Sequence, residues 1–146
     1  MKSRQDERLG GTRPNFGISM KYMSQVQSSS IQVLIVEDEP LVRMVARATL
    51  EEAGFDLVEA ATADEALRLL AGVHEFAAVV SDIEMPGEMN GLDLAWAIHA
   101  HWPKIAVVLT SGRQLPRPAD MPRKVRFVAK PYHPSLLVQI VTEATS

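Results

Sequence analysis

An α/β fold with a doubly wound, five-stranded parallel sheet is predicted for most of this chain from three observations. Five short apolar runs rich in β-branched residues alternate with segments whose apolar residues recur at helical spacing. The chain has 146 residues, 47% of them hydrophobic and 23% charged, which is typical of one globular domain. Carboxylates directly follow two of the apolar runs, at the strand ends where such sheets bind ligands. Together these features exclude a collagen-like chain, a coiled-coil rod and a chain disordered throughout.

The first 30 residues differ from the rest of the chain in charge and pattern. They contain five basic and two acidic residues, a net charge of +3, whereas residues 31–146 contain 10 basic and 16 acidic residues, a net charge of −6. Glycine, proline and serine interrupt any helical or strand period before residue 31. We therefore expect a disordered basic tail at residues 1–30 and one folded domain at residues 31–146.

The first strand is predicted at Ile31–Val36, because this run is apolar apart from Gln32 and suits burial on both faces of a sheet. A helix follows, with Pro40 in its first turn and Gly54 just after its end. Its apolar residues share one face, and they are Val42, Val45, Ala46, Thr49, Leu50 and Ala53. The second strand is predicted at Phe55–Glu59.

The alternation of strand and helix continues through the middle of the chain. Thr62 with Glu65 three residues later forms a capping box, which opens a helix that ends near Ala71. Its inward residues are Ala63, Ala66, Leu67 and Leu70. The third strand is predicted at Phe76–Ser81 and the third helix at Gly91–His101. The apolar stripe of that helix is Leu92, Ala95, Ile98 and Trp102.

Two more strands and a helix complete the predicted fold. The strands are Ile105–Thr110 and Arg126–Ala129, and the helix is Pro134–Thr145. The inward residues of this helix are Leu136, Leu137, Ile140, Val141 and Ala144. Because strands and helices alternate, the strands are expected to be parallel and all their carboxyl ends to meet at one edge of the sheet.

Acidic, basic and hydroxyl side chains gather at that edge. The acidic residues 37–39 follow the first strand and Asp82 follows the third. Carboxylates this close repel one another, and a hard divalent cation such as Mg²⁺ relieves the repulsion. The last two strands contribute the hydroxyls of Thr110 and Ser111 and the ammonium of Lys130, which suit the oxygens of a phosphoryl group. This set of groups indicates phosphoryl chemistry on a carboxylate.

Four stretches at predicted strand ends match a known pattern, namely VLIVEDE (33–39), VVSDIEMPG (79–87), LTSG (109–112) and FVAKP (127–131). In this order they resemble the receiver domain of two-component response regulators. The resemblance covers residues 31–146 and implies the flavodoxin-like receiver fold. No further module is expected after Ser146, so the sequence resembles the stand-alone, single-domain type.

The resemblance also implies roles for the residues of the acidic cluster. Asp82 matches the phosphoacceptor. Glu37 and Asp38 match the acidic pair that binds Mg²⁺, with Asp38 as a direct ligand and Glu37 acting mainly through water. The backbone carbonyl of Glu84 matches the remaining protein ligand.

Further roles are implied at the other strand ends. Ser111 matches the switch hydroxyl because a small residue follows it, although a slip of one residue would exchange its role with that of Thr110. Lys130 matches the lysine of the pattern, with a cis peptide before Pro131. Phe127 matches the switch aromatic of the fifth strand.

Two positions are expected to control access of water to the phosphorylated aspartate. They lie two residues after the aspartate and two residues after the switch hydroxyl, which here are Glu84 and Arg113. Their opposite charges predict a salt bridge across the mouth of the site, and hence slow loss of the phosphoryl group.

The region between the last two strands departs from the family pattern. Residues 113–124 contain three prolines, so the helix expected there should be short, displaced or absent. Residues 113–126 carry a cluster of five basic residues opposed by Asp120, and they are Arg113, Arg117, Arg123, Lys124 and Arg126. A solvated face and a docking site for an acidic partner are both open interpretations.

The function implied by the resemblance is that of a phosphoacceptor in a two-component system or phosphorelay. A histidine kinase or a histidine phosphotransfer protein would donate the phosphoryl group to Asp82 in the presence of Mg²⁺, and this would switch the binding of an unknown downstream protein. The chain is not expected to be an enzyme, and the formation of a homodimer is left open.

Composition predicts where the protein acts and what it does not bind. The sequence has no cysteine, no secretory signal and no apolar run near the roughly 20 residues of a membrane helix, which predicts a cytoplasmic protein that does not bind a membrane. Its net charge of −3 predicts that it does not bind nucleic acid.

Two alternatives belong to other functional classes. The first is a constitutive binding module that keeps the fold without using phosphorylation, which the proline-rich region favours. The second is a phosphohydrolase with Asp82 as nucleophile, for which Glu84 stands at the position of the acid.

Overall fold

The computed structural model describes residues 30–146, in which five parallel strands form one sheet. The strands are β1 (Gln32–Val36), β2 (Asp56–Ala60), β3 (Ala78–Asp82), β4 (Ala106–Ser111) and β5 (Arg126–Ala129). The helices are α1 (Pro40–Glu52), α2 (Ala63–Leu70), α3 (Gly91–His101) and α4 (Pro134–Ala144). Strand order across the sheet is β2-β1-β3-β4-β5. The predicted fold class is therefore confirmed, while the tail expected at residues 1–30 lies, apart from Ser30, outside the described residues.

The sheet is buried on both faces, as its apolar central strands require. One core layer lies under α2 and α3 and includes Leu34, Val79 and Leu109. The other lies under α1 and α4 and includes Val33 and Ile35. Since neighbouring residues of β1 point into opposite layers, helices are needed on both faces to cover the strand.

Four residues of the predicted helix faces are placed wrongly. Val45, Ala53 and Leu136 are predicted to face inward but are exposed, whereas Leu94, outside the predicted stripe, is 1% exposed. The apolar stripes of α1 and α4 are wider than the line that contacts the sheet, so the residues at their margins remain in solvent. In the predicted capping box, Thr62 accepts the amide of Glu65 at 3.1 Å, but the Glu65 carboxylate accepts from Ala61 instead of from the capping residue.

The segment between β4 and β5 forms no α-helix, which confirms the effect expected of its prolines. A single 3-10 turn at Pro118–Asp120 takes the place of the helix. The indole nitrogen of Trp96 on α3 donates to the carbonyl of Asp120 at 3.0 Å, and Met121 and Val125 pack against the core layer under α3. These contacts hold the segment against the domain.

All carboxyl ends of the strands lie at one edge of the sheet, which positions the residues discussed next. Within residues 30–146, no helix has the length and apolar character needed to cross a membrane.

Candidate functional site

Three carboxylates converge at the centre of this edge. Parallel pairing aligns Val36 with Ser81, so the residues that follow β1 lie beside the end of β3. Carboxylate oxygens of Glu37, Asp38 and Asp82 all lie within 4.8 Å of one another. The side chains of Glu37 and Asp82 are buried, while that of Asp38 is half-buried and open to solvent.

Lys130 neutralises part of this cluster. The strand pair β4 and β5 carries it to the site, where its backbone amide donates to the carbonyl of Ser111 at 2.8 Å. Its ammonium nitrogen lies 3.0 Å from Glu37 Oε1 and 3.6 Å from Asp82 Oδ2. The Lys130–Pro131 peptide bond is cis, as the family resemblance implies.

The local electrostatics favour a protonated Asp82 at mildly acidic pH. Burial raises the pKa of Asp82 to about 6, and the charge of Glu37 adds to the effect while Lys130 opposes it. Burial alone would lower the pKa of Lys130, but the hydrogen bond to Glu37 and the charges of Glu37 and Asp82 together outweigh burial, so this pKa is raised. Lys130 therefore stays charged, and Asp82 loses its proton only above mildly acidic pH.

The cluster fits a hard cation in its chemistry. Asp82 Oδ1 is buried and has no hydrogen-bond partner among the described residues, which is unusual for a charged atom. The neighbouring donors are all carboxylate oxygens, the ligand type that Mg²⁺ prefers. The exposed side of Asp38 leaves room for the water molecules that Mg²⁺ normally retains.

Ser111 and Glu84 are in direct contact at the side of the cluster. The Ser111 hydroxyl donates to a carboxylate oxygen of Glu84, and it accepts the amides of Arg113 at 3.1 Å and Gln114 at 2.8 Å. Thr110 is also buried and lies in strand register with Asp82. Of the two hydroxyls, it is therefore that of Ser111 that contacts Glu84.

The predicted salt bridge between Glu84 and Arg113 is wrong. Within residues 30–146, Arg113 forms no ion pair with Glu84, and its side chain is exposed. The reason lies in the turn after β4, where the Ser111 hydroxyl binds both the Glu84 carboxylate and the Arg113 amide. Arg113 thus contributes its backbone to the site, and its charge is free to face water.

Phe127 lies further from the charged groups. It pairs with Leu109 across β4 and β5, and its half-buried ring packs against the core layer under α2 and α3. It therefore lies two strand positions before the Ser111–Ala129 pair and three residues before Lys130.

Sequence reasoning missed Arg43, which supports the acidic loop. Its guanidinium donates to the backbone carbonyl of Glu37 at 2.7 Å and to the Glu59 carboxylate at 2.9 Å. Arg47 also pairs with Glu59, and that hydrogen bond lowers the pKa of Glu59. An arginine on a predicted helix is usually solvated, so no local pattern distinguishes this one.

The parallel sheet, with charged and hydroxyl side chains at its carboxyl edge, defines a signalling-domain fold that a family model matches. Residues 33–142 match the response regulator receiver domain, and the chain belongs to this family of two-component signalling domains.

Relatives support this membership over most of the chain. The C4-dicarboxylate transport transcriptional regulatory protein DctD of Rhizobium meliloti is 36% identical over 126 residues, which is 80% of this chain and 26% of DctD. The transcriptional regulatory protein PdtaR of Mycobacterium tuberculosis is 36% identical over 118 residues, which is 79% of this chain and 57% of PdtaR. The chain thus spans about a quarter of DctD and somewhat more than half of PdtaR.

Solved structures agree with the fold. The receiver domain of the hybrid histidine kinase CckA is 28% identical with a TM-score of 0.67, and the match covers 79% of this chain and 99% of that domain. A response regulator receiver protein of Sinorhizobium medicae is 21% identical with a TM-score of 0.75, over 80% of this chain and 94% of its own. At that identity the second match speaks for the fold alone.

Proposed function

We propose that this chain is the phosphoacceptor of a two-component system or phosphorelay, and that Asp82 receives a phosphoryl group from a phosphohistidine in the presence of Mg²⁺. One observation carries the proposal: Asp82 Oδ1 is buried and unpartnered within a carboxylate cluster that Lys130 only partly neutralises. Such an atom is costly to a fold unless a ligand satisfies it. A bound cation and a phosphoryl group are ligands of that kind.

The transfer step exchanges one bond to phosphorus for another. An oxygen of ionised Asp82 attacks the phosphorus, the P–N bond to histidine breaks, and its electron pair returns to the imidazole. The ring leaves neutral when its other nitrogen carries a proton. Since the pKa of Asp82 is about 6, the nucleophile is mostly ionised at neutral pH.

The surrounding residues have separate tasks in this proposal. Asp38, Asp82 and the backbone carbonyl of Glu84 would hold Mg²⁺, with Glu37 acting through water. The cation supplies positive charge that offsets the charge of the transferred group. Lys130, now shared between Glu37 and Asp82, would turn its ammonium to a phosphoryl oxygen.

Ser111 would report the modification. To donate to a phosphoryl oxygen, its hydroxyl must give up the Glu84 carboxylate that it now contacts. That change would pass along β4 to the adjacent strand and to Phe127, and so alter the surface offered to a downstream protein. The engagement of Glu84 by Ser111 disfavours the phosphohydrolase alternative, which needs Glu84 as a free acid.

A protein donor is supported by the surface next to the site. Helix α1 begins directly after the acidic residues, and its first half presents three large apolar side chains to solvent. Leu41, Met44 and Val45 are 71%, 56% and 59% exposed, and they lie at the i, i+3 and i+4 spacing of one helix face. A histidine kinase or histidine phosphotransfer protein that covered this face would bring its phosphohistidine close to Asp82.

The proposal is tested by phosphorylation in solution. The chain is incubated with acetyl phosphate, with and without Mg²⁺, and its mass is measured. We expect a gain of one phosphoryl group that needs Mg²⁺ and is abolished by Asp82→Asn. The matched control is Asp56→Asn, which removes an exposed carboxylate from the opposite end of the sheet. No gain in the unaltered chain would favour the phosphorylation-independent binding module.

A further inference from the structure

A groove lies beside residues 122–126, between the 3-10 turn and β5. Its volume is about 930 Å³, within the usual range of ligand-binding clefts. It is bounded by the ends of α3 and α4, the starts of β4 and β5, and residues 122–126. These are the amino ends of the strands, so the groove and the acidic cluster occupy opposite edges of the sheet.

The groove combines an apolar floor with a basic rim. Ala95, Ile98 and Val107 form part of the floor and belong to the core layer beneath it. Four exposed basic side chains form the rim, and they are Lys104, Arg123, Lys124 and Arg126. The lining contains no acidic residue, and none of the four forms an ion pair within residues 30–146.

We propose that this groove is a docking surface for an acidic amphipathic segment of a partner protein. Apolar side chains of that segment would cover the floor, while its carboxylates would meet the four rim cations. Charge complementarity favours this occupant, because the rim carries four positive charges on a domain whose residues 31–146 have a net charge of −6. The groove is open without a phosphoryl group, so this inference does not depend on the proposed function.

Other occupants fit the groove less well. Residues 1–30 carry a net charge of +3, so the rim would repel them. Single-stranded nucleic acid binds by stacking its bases on aromatic rings, and no Phe, Tyr or Trp lines the groove. A second copy of this chain could offer its exposed α1 face, but the apolar side chains of that face, Leu41, Met44 and Val45, carry no charge to match the basic rim.

The direct test uses a designed peptide and the full chain. The probe is a fluorescent helical peptide of about 16 residues, with leucine on one face and glutamate elsewhere. We expect saturable binding by fluorescence anisotropy that weakens with added salt. Replacing the glutamates by lysines, or the leucines by serines, should abolish it. If the acidic peptides bind equally with and without leucine, the apolar floor contributes nothing and only the basic charges attract the peptide. That result would overturn the proposal.

Charge reversal locates the binding site. Lys124→Glu and Arg123→Glu should each weaken peptide binding by about fivefold or more. Arg68→Glu is the matched control, because it makes the same change of charge at an exposed position on α2, and it should leave binding unchanged. All these changes are at the surface, and circular dichroism checks that each variant is folded. If Arg68→Glu weakens binding as much as Lys124→Glu does, the groove is not the site.

Three further measurements separate the other occupants. Because the chain has no cysteine, a spin label can be attached at one position only, through Ser3→Cys. Broadening of the NMR amide signals of residues 123–126 by this label would identify residues 1–30 as the occupant. A dimer seen in sedimentation of the unaltered chain, and lost in Lys124→Glu, would identify a second copy of the chain as the occupant. An oligonucleotide that competes with the peptide at equal affinity would identify nucleic acid. Each of these three results would overturn the proposal, and equal peptide binding by the unaltered chain with and without acetyl phosphate and Mg²⁺ would support its independence from phosphorylation.

Discussion

Replacing Asp82 by asparagine should stabilise the metal-free protein. The folded domain raises the pKa of this carboxyl from 3.8 to about 6, mainly by burial, so ionising Asp82 costs free energy that the unfolded chain does not incur. A shift of about two pKa units corresponds to about 3 kcal/mol, since each unit is worth about 1.4 kcal/mol. Because Asp38 opens the cluster to water, we expect about 2 kcal/mol of this to be recovered by asparagine, which has no charge.

The pH dependence gives the prediction its sign. Well below pH 3.8 the carboxyl is protonated in both the folded and the unfolded chain, so the variant has no advantage, and at pH 4 its advantage is still small. As the pH rises from about 4 to 6, only the unfolded chain ionises freely, and the unaltered protein loses stability relative to Asp82→Asn. Above about pH 6 the difference is complete.

Urea denaturation at pH 4, 6 and 8 in the presence of a chelator measures this difference. Asp56→Asn is the control, because it removes an exposed carboxylate and should change the free energy of unfolding by less than about 0.5 kcal/mol. Addition of Mg²⁺ should stabilise the unaltered chain and narrow its gap from Asp82→Asn, because the ion binds only the folded site. Equal stability at pH 8, or a gap that does not change with pH, would refute the electrostatic reasoning.

Three other perturbations test separate parts of the structure. Asp38→Ala should weaken Mg²⁺ binding about tenfold more than Glu37→Ala does, because direct ligation outweighs a contact through water. Calorimetric titration measures both affinities, and equal losses would show that the roles of the acidic pair are assigned wrongly. Gly91→Ala should destabilise the fold by about 2 kcal/mol or more, measured as a lower melting temperature, because the added methyl group would overlap the backbone at the end of β3. An unchanged melting temperature would mean that α3 can move away without loss. Trp96→Phe removes the donor that holds the 3-10 turn, so amide exchange over residues 112–125 should accelerate by about three- to tenfold while the rest of the domain is unchanged.

Much of the fold could be predicted because its signals are local. Each buried strand is a short apolar run, and each helix shows its own apolar face. The arrangement of the site follows from parallel pairing, which brings Glu37 beside Asp82 without any knowledge of side-chain positions. What depends on long-range geometry was not predicted. Arg43 reaches the acidic loop only through the packing of α1 on β2, and the course of the turn after β4 decides that Glu84 meets a hydroxyl and not a guanidinium.

The hydrogen bond between Ser111 and Glu84 has a consequence for signal fidelity in the proposed switch. A hydrogen bond to a charged group contributes about 1.5–3 kcal/mol. If the active conformation must break it, that conformation is populated about 10- to 100-fold less than the resting one before phosphorylation. Spontaneous activation would then be confined to about 1–10% of molecules. The contact would therefore suppress signalling by the unphosphorylated protein. Its removal by Glu84→Ala would raise the background output of the pathway even when the kinase is inactive.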